Sequence, residues 1–228
     1  MAKVRWDGWE DENFSAHPRR EGVVIEGGDV HLGVALDDPT VADGAADDVE
    51  LSDVHLSGSG LSGAELTDLR LTDSLVVGAD LAGVRWPAAL VQQVEVRDAR
   101  LTGADLTDAR FAGVRLRRCR LDSVVLADAH LRDVRFEECV LTDAFLGGAR
   151  LERVAFVGCD LARADLDGSR IDRVDLRSSE VAEVARLGAL RGAIVDLEQV
   201  TAMAARLAQQ AGLVVRPSRA EDPDEPWS

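Results

Sequence analysis

Residues 101–111 read LTGADLTDARF, and their spacing decides the fold. Leu101, Leu106 and Phe111 stand five apart, and Ala104 and Ala109 each precede a large residue by two. A helix repeats its apolar positions every three or four residues and a strand every two. A spacing of five suits neither for long. The chain must bury one large side chain, turn, and bury the next.

The register runs far beyond this stretch. Every fifth residue from Leu51 to Val181 is apolar: mostly Leu, with Val76, Trp86, Val91, Val96, Phe111, Phe136, Phe156, Ile171 and Val181 as the variants. The position two before each of these centres holds Ala, Val, Ser or Cys, with Leu69 as the large exception. The other three positions are mostly Asp, Arg, Thr, Ser, Glu and Gly. A unit this short cannot bury its own face, so neighbouring coils must stack and share one core. Four units would make a square coil of twenty residues. Stacked coils then pair their backbones as parallel strands do, about 4.8 Å apart, and the repeat gives a rod on the order of 32 Å long.

The units ADLTD, ADLAG, AFLGG and ADLDG resemble the pentapeptide-repeat family, and the resemblance covers residues 49–183. It implies an all-β solenoid, a right-handed quadrilateral parallel β-helix. Some bacterial members of that family protect DNA gyrase, a type II topoisomerase, by mimicking DNA, and so confer antibiotic resistance. Those members dimerise through a C-terminal module. Loops projecting from the coil matter in the best-studied ones, and this chain has no long insertion between residues 49 and 183.

The ends read differently. Residues 1–48 carry a net charge of -8 and form an N-terminal cap with irregular first coils, including a loop near 37–48. Trp6, Trp9 and Phe14 are expected to cover the open end. The repeat fails at Arg186, and LRGAIV adds one partial turn. A helix capped by Asp196 and Gln199 follows, with Val200, Met203, Ala204, Leu207 and Ala211 as its apolar stripe. Residues 184–215 form this helical cap and a possible dimerisation element, and 216–228 read as a loose polar tail. Trp86–Pro87 predicts a bulge inside the rod, because Pro cannot donate to a ladder.

Residues twenty apart share an outside column. Arg70, Arg110, His130, Arg150 and Arg170 form a basic stripe interrupted by Leu90. The neighbouring face carries Glu65, Asp68, Asp105, Asp108, Asp128 and Asp165, a candidate acidic interaction face. Val125 and Phe145 interrupt it and are candidates for a contact surface, as are Leu213 and Val215 beyond the helix. The chain has net charge -16, which argues against direct binding to nucleic acid.

Catalytic chemistry finds no constellation. The four His residues are scattered, and GSGLSG at 58–63 has Leu61 in phase, so its glycines are read as repeat turns. Cys119, Cys139 and Cys159 stand twenty apart in the small inward slot and act as small apolar residues; no metal site and no cofactor are expected. An odd cysteine count and the lack of a secretion signal suit the cytoplasm. No stretch is long and apolar enough for a membrane span. The expectation is a non-enzymatic interaction protein of unknown partner that self-associates through its C-terminal region. The alternative is a DNA-mimicking modulator of DNA gyrase.

Overall fold

A computed structural model of the chain describes residues 14–216. It is a parallel β-solenoid with one C-terminal helix, Leu197–Gln210. The long strands Val30–Asp37, Glu50–Ser57, Arg70–Val77, Leu90–Arg97, Arg110–Arg117, His130–Glu137 and Arg150–Val157 stack in chain order within one nine-stranded sheet. Neighbours pair twenty residues apart: Phe111 with Leu131, Leu131 with Leu151, Leu151 with Ile171. The other sides of the coil pair at the same interval, as in Asp105–Val125–Phe145–Asp165 and Arg100–Arg120–Val140–Asp160.

Backbone groups are satisfied between coils. Leu121 N–H donates to Val140 O at 2.7 Å and Leu141 N–H to Asp160 O at 2.7 Å. In the opposite direction Arg120 N–H donates to Ala99 O and Val140 N–H to Cys119 O, each at 3.0 Å. Inside, the centres from Leu51 to Val181 are all buried except Ile171, which is half-buried. The small residues two before them lie beside them, Ala109 and Val114 at 0 % exposure. Phe136 and Phe156 stack in consecutive coils, ring centroids 4.8 Å apart and 3° from parallel. The coil rise itself sets that separation.

The turns explain the commonest outward residue. Asp105 Oδ1 accepts from Thr107 N–H at 3.0 Å, Asp160 from Ala162 at 2.9 Å and Asp165 from Asp167 at 2.9 Å. The N–H of the residue after a centre therefore bonds to the Asp before that centre, while its carbonyl still accepts from the neighbouring coil, as Thr107 O does from Ala88 N–H. Two residues after many centres the backbone is left-handed, with Asp108 at φ 58° and Asp128 at φ 55°. Asp tolerates that region better than most side chains. The expected bulge at Trp86–Pro87 is absent for the same reason. Arg85 and Leu90 pair twenty on with Asp105 and Arg110, and Pro87 occupies the slot whose N–H the ladder does not use.

Several other expectations need correction. Residues 37–48 are not one loop: they contain the strands Thr40–Val41 and Ala45–Asp47 around a 3-10 turn, Ala42–Gly44, and Ala46 pairs with Leu66 twenty on. Gly60 is not merely a turn residue. A Cβ there would stand 2.2 Å from Pro39 O, so the coil above closes onto a position that only glycine can fill. Phe14 lies on a side of the rod rather than across its end, its ring 6.4 Å from His55. Trp6 and Trp9 lie outside the described residues. On that same side the outward positions Ala35, Leu75 and Glu95 are 1 %, 0 % and 1 % exposed, a burial that the repeat pattern did not signal.

At the C-terminal end the register slips by one. Leu187, not Arg186, is buried, and Asp175 pairs with Ile194. The helix carries the expected capping box of Asp196 and Gln199. Of the expected stripe, however, Met203 alone is buried: Gln199 docks beside it, while Val200, Ala204, Leu207 and Ala211 are exposed. The last coil ends in carbonyls that no further coil can pair, so donors reach it first. Gln199 Nε2 donates to Leu176 O and Ser179 O, each at 2.6 Å, and Arg206 donates to Ala182 O and to Val184 O.

The inward assignment is testable. Leu121 is 1 % exposed and Asp122 points out, accepting from Thr102 Oγ1. Leu121→Asp buries an unpaired carboxylate and should cost several kcal/mol, enough to remove the folded state. Asp122→Ala should cost less than about 1 kcal/mol. Thermal unfolding followed by circular dichroism measures both; equal losses would contradict the assignment.

Candidate interaction faces

The sequence treats the basic stripe and the acidic face as separate, but the fold joins part of them. Asp68, Asp108 and Asp128 sit at left-handed corners, and Arg70, Arg110, His130, Arg150 and Arg170 follow two residues later. Together they line one open groove of about 1110 Å³ along the rod. Its acidic wall stops at Gly148 and Gly168, which take the positions after Asp128 in that column. Arg70 is paired with Asp48 at 3.0 Å and His130 approaches Glu152 at 3.4 Å. Among the described residues, Arg110, Arg150 and Arg170 have no ion-pair partner.

The remaining acidic candidates are interrupted. Their column runs Glu65, Arg85, Asp105, Val125, Phe145, Asp165. Arg85 pairs with Glu65. Asp105 and Asp165 hold turns, and neither has an ion-pair partner among the described residues. Phe145 is 43 % exposed and Val125 half-buried. The Phe145 ring lies over Gly147, where a Cβ would meet its Cζ at 2.6 Å. A second apolar surface surrounds the helix: Ile194, Leu197, Val200, Leu207, Leu213, Val214 and Val215 are all exposed, Leu213 at 62 % and Val215 at 54 %.

Elsewhere the charges neutralise one another. Arg118 grips Asp98 through two bonds of 2.7 and 2.8 Å, and Arg153 with Asp133 and Arg163 with Asp143 repeat the arrangement one coil apart. Each guanidinium holds its carboxyl below the usual carboxylate range. A denser cluster on another side was not legible as a site. Glu95 is buried beside Arg97 at 2.7 Å, and Arg115 and Arg135 converge on Glu137. Burial pushes Glu137 up, but Arg135 and Arg115 outweigh it and leave its pKa lowered. The signal lay in the twenty-residue columns, where Glu95 precedes Arg115 and Arg135.

Cys119, Cys139 and Cys159 are buried free thiols in one inward column, and Ser179 continues it. Their sulfurs donate to backbone carbonyls, Cys119 to Arg117 O and Cys139 to Glu137 O at 3.3 Å. Hydrogen bonding to the Cys119 sulfur, reinforced by burial, pushes the Cys139 thiol up to about 12. Among the described residues no group of three or more His, Cys, Asp or Glu could hold a metal ion, and no helix is long and apolar enough to cross a membrane.

Residues 89–122, 119–156 and 146–179 match the family described as pentapeptide repeats, in 8 copies, and these coils are pentapeptide repeats. No curated protein sequence matches the chain. Among solved structures, the chain resembles QnrB1, a plasmid-mediated fluoroquinolone resistance protein. The trypsin-treated form is 18 % identical, with TM-score 0.61, over 87 % of this chain and 100 % of that one. The full-length form is 16 % identical, with TM-score 0.61, over 84 % and 97 %. HetL, a pentapeptide repeat protein involved in heterocyst differentiation regulation from the cyanobacterium Nostoc sp. strain PCC 7120, is 20 % identical over 72 % and 89 %, with TM-score 0.36. At these identities the likeness to QnrB1 is one of fold.

Proposed function

We propose that this chain, whose coils are pentapeptide repeats, is a non-catalytic interaction protein that presents fixed columns of side chains to protein partners. The observation that carries the reading is the filled interior. Large centres occupy the axis of the rod, so chemistry is confined to side chains on rigid outer faces. A stacked ladder holds such side chains in register at little entropic cost on binding. Residues 49–183 supply the regular faces, 1–48 an irregular N-terminal cap and 184–215 the assembly element. Three free thiols suit a reducing, cytoplasmic setting.

Self-association belongs to this reading. The helix spends its donors and Met203 on the rod and leaves Leu197, Val200, Leu207, Leu213 and Val215 outside. A second copy related by a two-fold axis would cover that surface with its own. Light scattering of the full chain should give a dimer, and the Leu213→Glu, Val215→Glu double variant a monomer. A monomeric wild type removes self-association. A dimer that dissociates on Phe145→Arg instead moves the interface to the side of the rod.

A second reading is modulation of DNA gyrase by DNA mimicry. The observation in its favour is that Asp68, Asp105, Asp108, Asp128 and Asp165 project from neighbouring columns without ion-pair partners among the described residues. QnrB1, with the same fold, is a fluoroquinolone resistance protein. In a supercoiling assay, the wild type should shift gyrase activity at micromolar concentration. A variant with Asp105, Asp108, Asp128 and Asp165 changed to Lys should not. No effect of the wild type ends this reading and leaves the scaffold reading standing.

A further inference from the structure

Neither reading uses the basic stripe, and its last two members stand apart from the rest. Arg150 and Arg170 are register partners in neighbouring coils. No described carboxylate pairs with either, although acids outnumber bases in this chain by 42 to 26. The acids around them are already engaged. His130 approaches Glu152 at 3.4 Å, Arg173 holds Asp172 at 2.9 Å and Arg186 holds Asp167 at 2.8 Å.

The corner beside these arginines is open. Asp128 reaches one coil toward the C-terminal end, and its Oδ1 lies 2.3 Å from where a Cβ on Gly148 would stand. Gly148 has no side chain to reach on in turn. A Cβ on Gly168 would find the Gly148 backbone N at 3.7 Å as its nearest neighbour. The corner over Gly168 therefore holds no described carboxylate, while Arg150 and Arg170 line the groove with it.

The way this molecule satisfies its own charges indicates what such a corner takes. On the exposed sides one guanidinium saturates one carboxylate through two bonds, as Arg118 does Asp98, Arg153 does Asp133 and Arg163 does Asp143. Where several converge, as Arg115, Arg117 and Arg135 do on Glu137, the carboxylate is largely buried. Two exposed guanidiniums in neighbouring coils, about 4.8 Å apart along the rod, call for an anion with more charge and more acceptors. A phosphomonoester carries about -1.5 to -2 at neutral pH and has three acceptor oxygens, enough for two guanidinium forks. A phosphodiester carries one charge per phosphate. A nucleic-acid strand long enough to follow the stripe would next meet the carboxylates of Asp128 and Asp108.

We propose that Arg150 and Arg170, at the corner over Gly168, bind a phosphomonoester presented as a phosphorylated serine or threonine of a partner protein. This site rests on the scaffold reading and names the chemistry that one face selects. Phosphorylation of the partner switches docking on, because the unmodified hydroxyl offers no charge to either arginine.

The test uses the full chain and three fluorescein-labelled peptides that differ at one residue: phosphoserine, serine or glutamate. Fluorescence polarisation at low salt should show the phosphoserine peptide binding at least about tenfold more tightly than the other two. R150A with R170A should remove that preference. R110A, two coils from Arg150, should leave it within about twofold. G148D should also remove it, because its carboxylate would lie over Gly168 as that of Asp128 lies over Gly148. Asp108 and Asp128 show that consecutive left-handed corners accept Asp, and circular dichroism checks that every variant folds. Equal binding of the phosphoserine and glutamate peptides overturns the proposal, as does a preference that survives R150A with R170A or G148D, or an equal loss from R110A. So does arginine-dependent binding of an oligothymidylate as tight as that of the phosphopeptide. Displacement of the peptide by inorganic phosphate at concentrations no higher than the peptide's own Kd would make the ligand a free anion and overturn the partner assignment. If the phosphopeptide fails while the wild type still dimerises in light scattering, this site is lost and the scaffold reading stands.

Discussion

The hydrogen bond from one coil to the next, made at an interval of twenty residues, is the constraint on which the rest of the molecule depends. Leu121 donates forward to Val140 O, while Arg120 donates back to Ala99 O. Because each coil pairs with both neighbours, a change of coil length anywhere would misalign every column beyond it. The regular coils accordingly keep a fixed length through Trp86–Pro87. They lose it only at the ends, where Arg19 pairs with Ala35 and Asp175 with Ile194. The same constraint leaves the final coil with orphan carbonyls and explains why a helix with Gln199 and Arg206 on its docking face closes it.

Much of the acidity is architectural. Asp before a centre accepts the N–H after it, and Asp two residues past a centre occupies left-handed backbone. Both roles recur wherever the unit recurs, so net charge by itself says little about a partner. What distinguishes one side from another is where the pattern is broken. Val125 and Phe145 replace acids, Gly148 and Gly168 end an acidic wall, and Arg118, Arg153 and Arg163 replace Asp at left-handed positions and pair with the Asp one coil above. Function in a solenoid is therefore best sought in departures from the unit.

The core was legible because burial in this fold follows one arithmetic rule. Leu101, Leu106 and Phe111 announce it, and every other centre from Leu51 to Val181 except Ile171 is buried as it requires. The outside columns were legible for the same reason, since twenty-residue stacking follows from four units per coil. What escaped was whatever depends on contacts between non-equivalent parts. The burial of Leu75 and Glu95 depends on what lies over one side, and no periodicity records it. The docking stripe of the helix was misjudged because Val200 and Leu207 satisfy an apolar pattern, whereas the rod end needs donors. Pro87 fits without a bulge because it occupies a slot whose N–H the ladder never uses, which a general rule about strands does not capture. The acidic and basic columns are visible in the sequence, but the corner that brings Asp108 and Asp128 beside the basic column is a property of the turn and is not.

Thermal unfolding of two insertion variants tests the account most directly. In one, the coil 121–140 is duplicated; in the other, a single Ala is inserted after Leu121. Duplication adds twenty residues, preserves every column and should leave the midpoint unchanged or higher, since each repeat contributes its own burial and interface. The single insertion moves the following centres out of phase and should abolish the cooperative transition or lower it by more than about 10 °C, the consequence of misplacing several buried side chains at once. Equal midpoints, or a duplication more damaging than the single Ala, would contradict a rod held in a twenty-residue register.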